Sequence, residues 1–137
     1  ERILQGEGWP VDRIEAVLHC IRAHRFRDDR EQPITLEAKI LFDADKLDAI
    51  GATGVARAIA YAVHAGKPFY APVSHSFRET GELEPGELHS AYHEHMYKLV
   101  KIQARLYTPS ARELGARRHA FMEKFFQQLQ AEMTGVQ

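Results

Sequence analysis

The chain has 137 residues, 45% apolar and 27% charged, with 18 Lys+Arg against 19 Asp+Glu. A formal charge of −1 leaves no strong positive field and argues against non-specific nucleic-acid binding. The single cysteine, Cys20, excludes an intrachain disulfide and a cysteine-rich zinc site and fits a reducing, cytoplasmic setting, and no apolar run approaches the ~20 residues of a membrane span.

Helical periodicity dominates from end to end, with few strand signals, so the expected fold is all-α and a single domain over residues 1–137. Residues 1–5 read as the end of a helix stopped by Gly6 and Gly8. Pro10 opens a second helix to about His24, with Val11, Ile14, Leu18 and Ile21 on its apolar face. A charged loop, 27–34, follows. Thr35 caps a third helix to about Ile50 with the stripe Leu36, Ile40, Ala44 and Leu47, ended or kinked by Gly51. Small and apolar residues make a closely packed helix over 54–65. Glycines and prolines mark 66–86 as a long loop or lid. A helix is expected over 87–106, with Leu88, Tyr92, Leu99, Ile102 and Leu106 inward. Thr108-Pro109 starts the last helix, to about Met133, with Leu114, Phe121, Phe125 and Leu129 at core spacing. That helix also offers an apolar face for a homo-oligomer, with core packing as the competing use.

The densest chemical signal is Phe42-Asp43-Ala44-Asp45-Lys46-Leu47-Asp48-Ala49-Ile50-Gly51. Helical geometry puts Asp43 among the apolar stripe and Asp45 with Asp48 on the opposite face. Asp45 and Asp48 can share a cation or form a solvated acidic face. A carboxylate on the buried side, as expected of Asp43, needs a metal, an arginine or several hydrogen-bond donors.

Eight histidines are the other unusual count, because imidazole does metal and proton chemistry near neutral pH. His24 lies at the edge of an apolar face at a helix C-terminus, as a ligand, a substrate donor or a simple helix-end residue. His19 is expected to face solvent. His89 and His93 have the i,i+4 spacing of a metal-binding pair, with a surface histidine cluster as the bland alternative. Arg57 stands in an otherwise apolar segment and is the best anion or carboxylate partner. Lys67, Lys98, Lys101, Arg105, Arg117 and Arg118 are mostly at solvent-face spacing.

Taken together, Ile21-Arg22-Ala23-His24-Arg25-Phe26, the Asp43-to-Ala52 string, Arg57-Ala58-Ile59-Ala60-Tyr61, Gly66-to-Pro72 and Arg118-to-Glu123 resemble the small bacterial branch of the HD-domain superfamily of metal-dependent phosphohydrolases. The resemblance implies an all-α, HD-domain-like helical bundle. It implies a metal site built from a His, an adjacent His-Asp pair and a later Asp in an Ala-Asp-x-Leu element. Here that element is Ala44-Asp45-Lys46-Leu47, so Asp45 is carried over as metal ligand. Asp43 and Asp48 would orient it or touch metal-bound water. His24 joins Asp45 in the catalytic set and, with Arg57, Lys46 and Tyr70, would bind substrate. The implied cofactor is a divalent ion (Mn, Mg, Co, Ni, Fe or Zn), the substrate a nucleotide or other small phosphate ester, and Tyr70 with His75 would belong to a lid over the pocket. No His-Asp dipeptide occurs in the chain. The expectation is therefore an N-terminally incomplete bundle whose remaining ligands lie upstream of Glu1. If they are truly absent, a non-catalytic ligand-binding protein is the alternative.

Overall fold

The computed structural model describes residues 1–25 and 31–136; the expected loop residues 27–30 lie outside the described residues. The architecture is all-α, with no strand among the described residues. Among the described residues seven α-helices follow one another: α1 Arg2–Gly6, α2 Val11–Ala23, α3 Leu36–Asp48, α4 Gly51–His64, α5 His75–Thr80, α6 Ala91–Tyr97 and α7 Pro109–Thr134. Two 3₁₀ turns, Leu99–Lys101 and Gln103–Arg105, join α6 to α7.

Helix starts follow the side-chain oxygens. Thr35, Ser74, Ser90 and Thr108 each accept the N–H of the residue three further on, which satisfies one of the donors every helix leaves open. Ser90 shortens the expected 87–106 helix to start at Ala91, and the chain tightens into 3₁₀ turns after Tyr97. The expected 66–86 loop contains α5. Between α3 and α4 the turn needs glycine twice. Gly51 has φ +75°, and a Cβ on Gly54 would sit 2.2 Å from the Ala49 carbonyl oxygen and 2.8 Å from Met122 Cε. Arg118 of α7 donates to the Leu47 carbonyl at 2.5 Å, placing a cation on the C-terminal end of α3.

The core joins Ile50, Val55, Tyr92, Leu99, Ile102, Met122 and Phe126, so α7 packs against α4 and the 90–106 segment. Removing a side chain such as Phe126 or Met122 from water stabilises the fold by roughly 2 kcal/mol each. Tyr92, Leu99, Ile102 and Leu106 are buried as expected. Several other expected core positions are not. On α3 the buried face is Ala38, Phe42, Asp43 and Lys46, while Leu36 and Ile40 are exposed at 63% and 52% and Ala44 is exposed. On α2, Ile14 and Ala23 are buried, whereas Val11 and Ile21 are exposed. Leu88 and Phe121 are also exposed. Hydropathy pointed to the Leu36, Ile40, Ala44 and Leu47 face of α3. Packing of Phe42 edge-on against Tyr107, with ring centroids 5.2 Å apart, turns inward instead the face that carries an aspartate and a lysine.

Candidate functional site

Asp43 shows what the buried α3 face requires. Its carboxylate is 3% exposed and accepts the backbone N–H of Tyr107 at 2.8 Å and of Thr108 at 2.7 Å. One oxygen therefore serves each donor at the N-terminal end of the 26-residue α7, where the helix dipole also favours a negative charge. Of the justifications open to a buried carboxylate, this is the several-donor one, and Asp43 is spent on tying α3 to α7.

Asp45 points the other way, with a side chain about half exposed. Lys46 Nζ donates to Asp45 Oδ2 at 2.5 Å and to the His24 carbonyl at 3.1 Å, and it sits 5.0 Å from the Phe42 ring centroid. The Lys46 side chain is buried, and its ammonium links the C-terminus of α2 to the α3 carboxylate. His24 Nδ1 donates to the Ile21 carbonyl at 2.5 Å, so a neutral ring leaves Nε2 as the acceptor. His24, Asp45 and Lys46 line one cavity of about 460 Å³ together with Arg57, Lys98 and Leu99. The structure thus brings four of the sequence-selected residues together: His24, Asp45, Lys46 and Arg57.

Arg57 is exposed and pairs with Asp48, through both its carboxylate and, at 3.2 Å, its backbone carbonyl. It is not the costly unpaired guanidinium that its apolar neighbours suggested, because the α4 face it occupies opens to water. Asp48 consequently serves Arg57. Tyr70 lies elsewhere: its ring packs 5.1 Å from that of Tyr92 beside the core, and it lines none of the cavities around Asp45. His75 is 84% exposed on α5.

A second groove, about 800 Å³, continues from Arg57 along Tyr61, Lys67, His89, Lys98, Lys101 and Arg105. Sequence spacing treated most of these cations as ordinary surface; the two 3₁₀ turns gather three of them onto one wall. Lys98 pairs with Glu94, and Lys101 Nζ stands 3.7 Å from the Tyr97 ring centroid. Burial first, then the charge of Lys67, holds the His89 imidazole below its ordinary pKa, so it is mainly neutral at pH 7.

His93, His95 and His19 are structural rather than superficial. His93 is fully buried, with Nε2 on Glu87 at 3.0 Å and Nδ1 on the Ser90 hydroxyl at 2.8 Å. Glu87 also accepts from Ser74 N, Ser74 Oγ and Glu84 N, and these donors hold its carboxyl down at about 2. His95 is 5% exposed and stacks on Phe126 with centroids 4.3 Å apart. His19 is largely covered, donating from Nδ1 to Glu31 at 2.7 Å and accepting the Ile34 N–H at Nε2. The surface reading of His19 and His93 is therefore corrected: His19 is held by Glu31 and Ile34 beyond its own helix, and His93 by Glu87 and the helix cap Ser90.

No group of three or more His, Cys, Asp or Glu side chains able to hold a metal ion occurs among the described residues. Asp45 is a single carboxylate already paired with Lys46. On their own, these side chains do not fit a divalent ion.

With this geometry in place, similarity to known proteins identifies the class. The sequence profile of the HD domain matches residues 1–50. The uncharacterized protein YpgQ of Bacillus subtilis (strain 168) is 35% identical over 125 residues, covering 89% of this chain and 54% of that protein. A structure of YpgQ in complex with ADP superposes at TM-score 0.60 and 35% identity, over 76% of this chain and 47% of that one. A crystal structure from Lactobacillus plantarum matches at TM-score 0.76 and 35% identity, covering 96% of this chain and 64% of that one. An HD-superfamily hydrolase from Bacillus thuringiensis matches at TM-score 0.67 and 27% identity, covering 97% and 60%. The HD-domain match and these structural neighbours support membership of the HD-domain superfamily. The chain spans about half of the length of the curated relative and under two-thirds of these solved structures.

Proposed function

We propose that the protein is a divalent-metal-dependent phosphohydrolase acting on a nucleotide or another small phosphate ester. The observation that carries this reading is the placement of Asp45, Lys46 and His24 at the head of a groove walled by Arg57, Lys67, Lys98, Lys101 and Arg105. A groove of that composition neutralises a phosphate chain, and a guanidinium or ammonium fixed there also stabilises charge that develops as a phosphoryl group is transferred. Membership of a superfamily that contains hydrolases and the ADP complex of a 35% identical relative support the same reading.

The steps assigned to this chain are binding and charge neutralisation. Lys46 and Arg57 orient the phosphates, and His24 Nε2 accepts or holds a proton at the cavity wall. Asp45 would supply one carboxylate to a divalent ion, which would polarise a phosphoryl oxygen and activate a water, only together with donors outside the described residues. A cytoplasmic location fits such a substrate. Among the described residues, no helix is long and apolar enough to cross a membrane.

The missing metal cluster among the described residues favours one competitor, a non-catalytic binding protein that keeps the fold. Purified full-length protein, loaded in turn with Mn, Mg, Co, Ni, Fe or Zn, separates the two. The phosphohydrolase reading expects phosphate or pyrophosphate release from nucleotides, lost together with bound metal in Asp45→Ala. Nucleotide binding without turnover under every metal establishes the competitor instead.

A further inference from the structure

Between α4 and α6 lies a third cavity, about 230 Å³, that shares Arg57, Lys98 and Leu99 with the Asp45 groove and Tyr61, Lys67 and His89 with the cationic one. Arg57, Lys67, Glu94 and Lys98 line it, and Ala58, Ala62, Ala91 and Leu99 make its apolar wall. Phosphate does not belong against such a wall, because stripping water from an anion without supplying donors is costly. At the mouth stands Tyr61, whose residue is 75% exposed, so that a large aromatic surface lies open on a helix face.

We propose that this slot receives the planar base of a nucleotide, with the Tyr61 ring against one face of the base, His89 at its polar edge, and the phosphates directed past Arg57 and Lys98 toward Asp45. The proposal rests on the nucleotide reading above and deepens it. Three observations select this occupant. The slot adds the short apolar wall of Ala58, Ala62 and Ala91 to the Arg57, Lys67, Glu94 and Lys98 side chains at its shared edges, while the cavities joined to it carry more cations than carboxylates, so a ligand filling all three has one end with apolar faces and one anionic end. The walls are short side chains, which leave room for a ring rather than for a branched aliphatic group interlocking with them. His89, held mainly neutral at pH 7 by burial and by Lys67, meets the base edge with one donor and one acceptor instead of a charge. Alanine is the device that keeps the slot open: at residue 58 any longer side chain fills it.

The test uses full-length protein with two probes, ADP and inorganic pyrophosphate, and two variants, Ala58→Leu and Tyr61→Ala. Tyr61 is a surface residue, so its variant reports even if Ala58→Leu disturbs packing. Binding by calorimetry is expected to show each variant losing about tenfold in ADP affinity, the size of a lost base–aromatic contact, with pyrophosphate affinity nearly unchanged. Equal losses for both probes, or ADP affinity unchanged in both variants, overturn the slot assignment. Wild-type protein that holds pyrophosphate as tightly as ADP also overturns it while leaving the phosphate-binding groove intact. Wild-type protein that binds neither probe sinks the nucleotide reading along with it.

Discussion

Replacing Asp43 with alanine isolates the contact that joins α3 to the start of α7. The carboxylate accepts two backbone N–H groups at 2.8 and 2.7 Å and is 3% exposed. Hydrogen bonds to a charged group are worth about 1.5–3 kcal/mol each, and the two donors would be left buried and unsatisfied. The α7 N-terminus adds about 0.5 kcal/mol to the favourable placement of the charge. Asp43→Ala should therefore cost about 4 kcal/mol, a large part of the ~5–15 kcal/mol stability of an ordinary domain. Asp43→Asn keeps one accepting oxygen but turns an NH₂ toward the second N–H, so it should recover little. Urea unfolding followed by far-ultraviolet circular dichroism gives the answer. With a slope of about 2 kcal/mol/M, the midpoint should fall by about 2 M. A loss below about 1 kcal/mol for Asp43→Ala would refute the assignment. So would an Asn variant with wild-type stability and no hydrolytic activity, which would return Asp43 to the site.

Three further outcomes follow from the same geometry. Burial, with a smaller push from His119, lowers the His95 imidazole from an ordinary 6.5 to about 4. The unfolded chain then binds more protons between those values, so stability is full above pH 6.5 and falls by about 3 kcal/mol as pH drops to 4; thermal melts of His95→Leu should show a flatter profile across that window, and an unchanged slope would contradict the cause given. Glu87 acts in a lower range, its contribution present above the ordinary carboxyl value of 4.5 and lost as pH falls through about 2, so a pH 5–6.5 comparison reads His95 without it. Gly54→Ala drives a Cβ to 2.2 Å from a backbone carbonyl that cannot move aside, and should lower stability by about 2 kcal/mol by overpacking, which denaturant melts would register. Arg57→Ala breaks an exposed pair and an exposed hydrogen bond to the Asp48 carbonyl and should change stability by less than ~1 kcal/mol while weakening ADP binding about tenfold through the lost phosphate contact; a variant that unfolds instead would assign Arg57 to the scaffold.

What the sequence determined by itself was the helical class, the cap-and-proline start of α7 at Thr108-Pro109, and the identity of the Asp-Ala-Asp-x-Leu-Asp string, because these depend on neighbours a few residues apart. It also posed the right question about Asp43, that a buried carboxylate must be compensated. The partners came from Tyr107 and Thr108, 64 and 65 residues away, and no local pattern encodes them. The same limit explains the α3 face. Leu36 and Ile40 are more apolar than Lys46, yet Lys46 is buried because its ammonium finds Asp45, the His24 carbonyl and the face of the Phe42 ring. His93, read from spacing as surface, became a fully buried link between Glu87 and Ser90. In each case the free energy of a polar side chain is decided by what folds against it. Periodicity states which residues share a helix face. Only the tertiary structure states whether that face meets water, a backbone donor or a neighbouring charge.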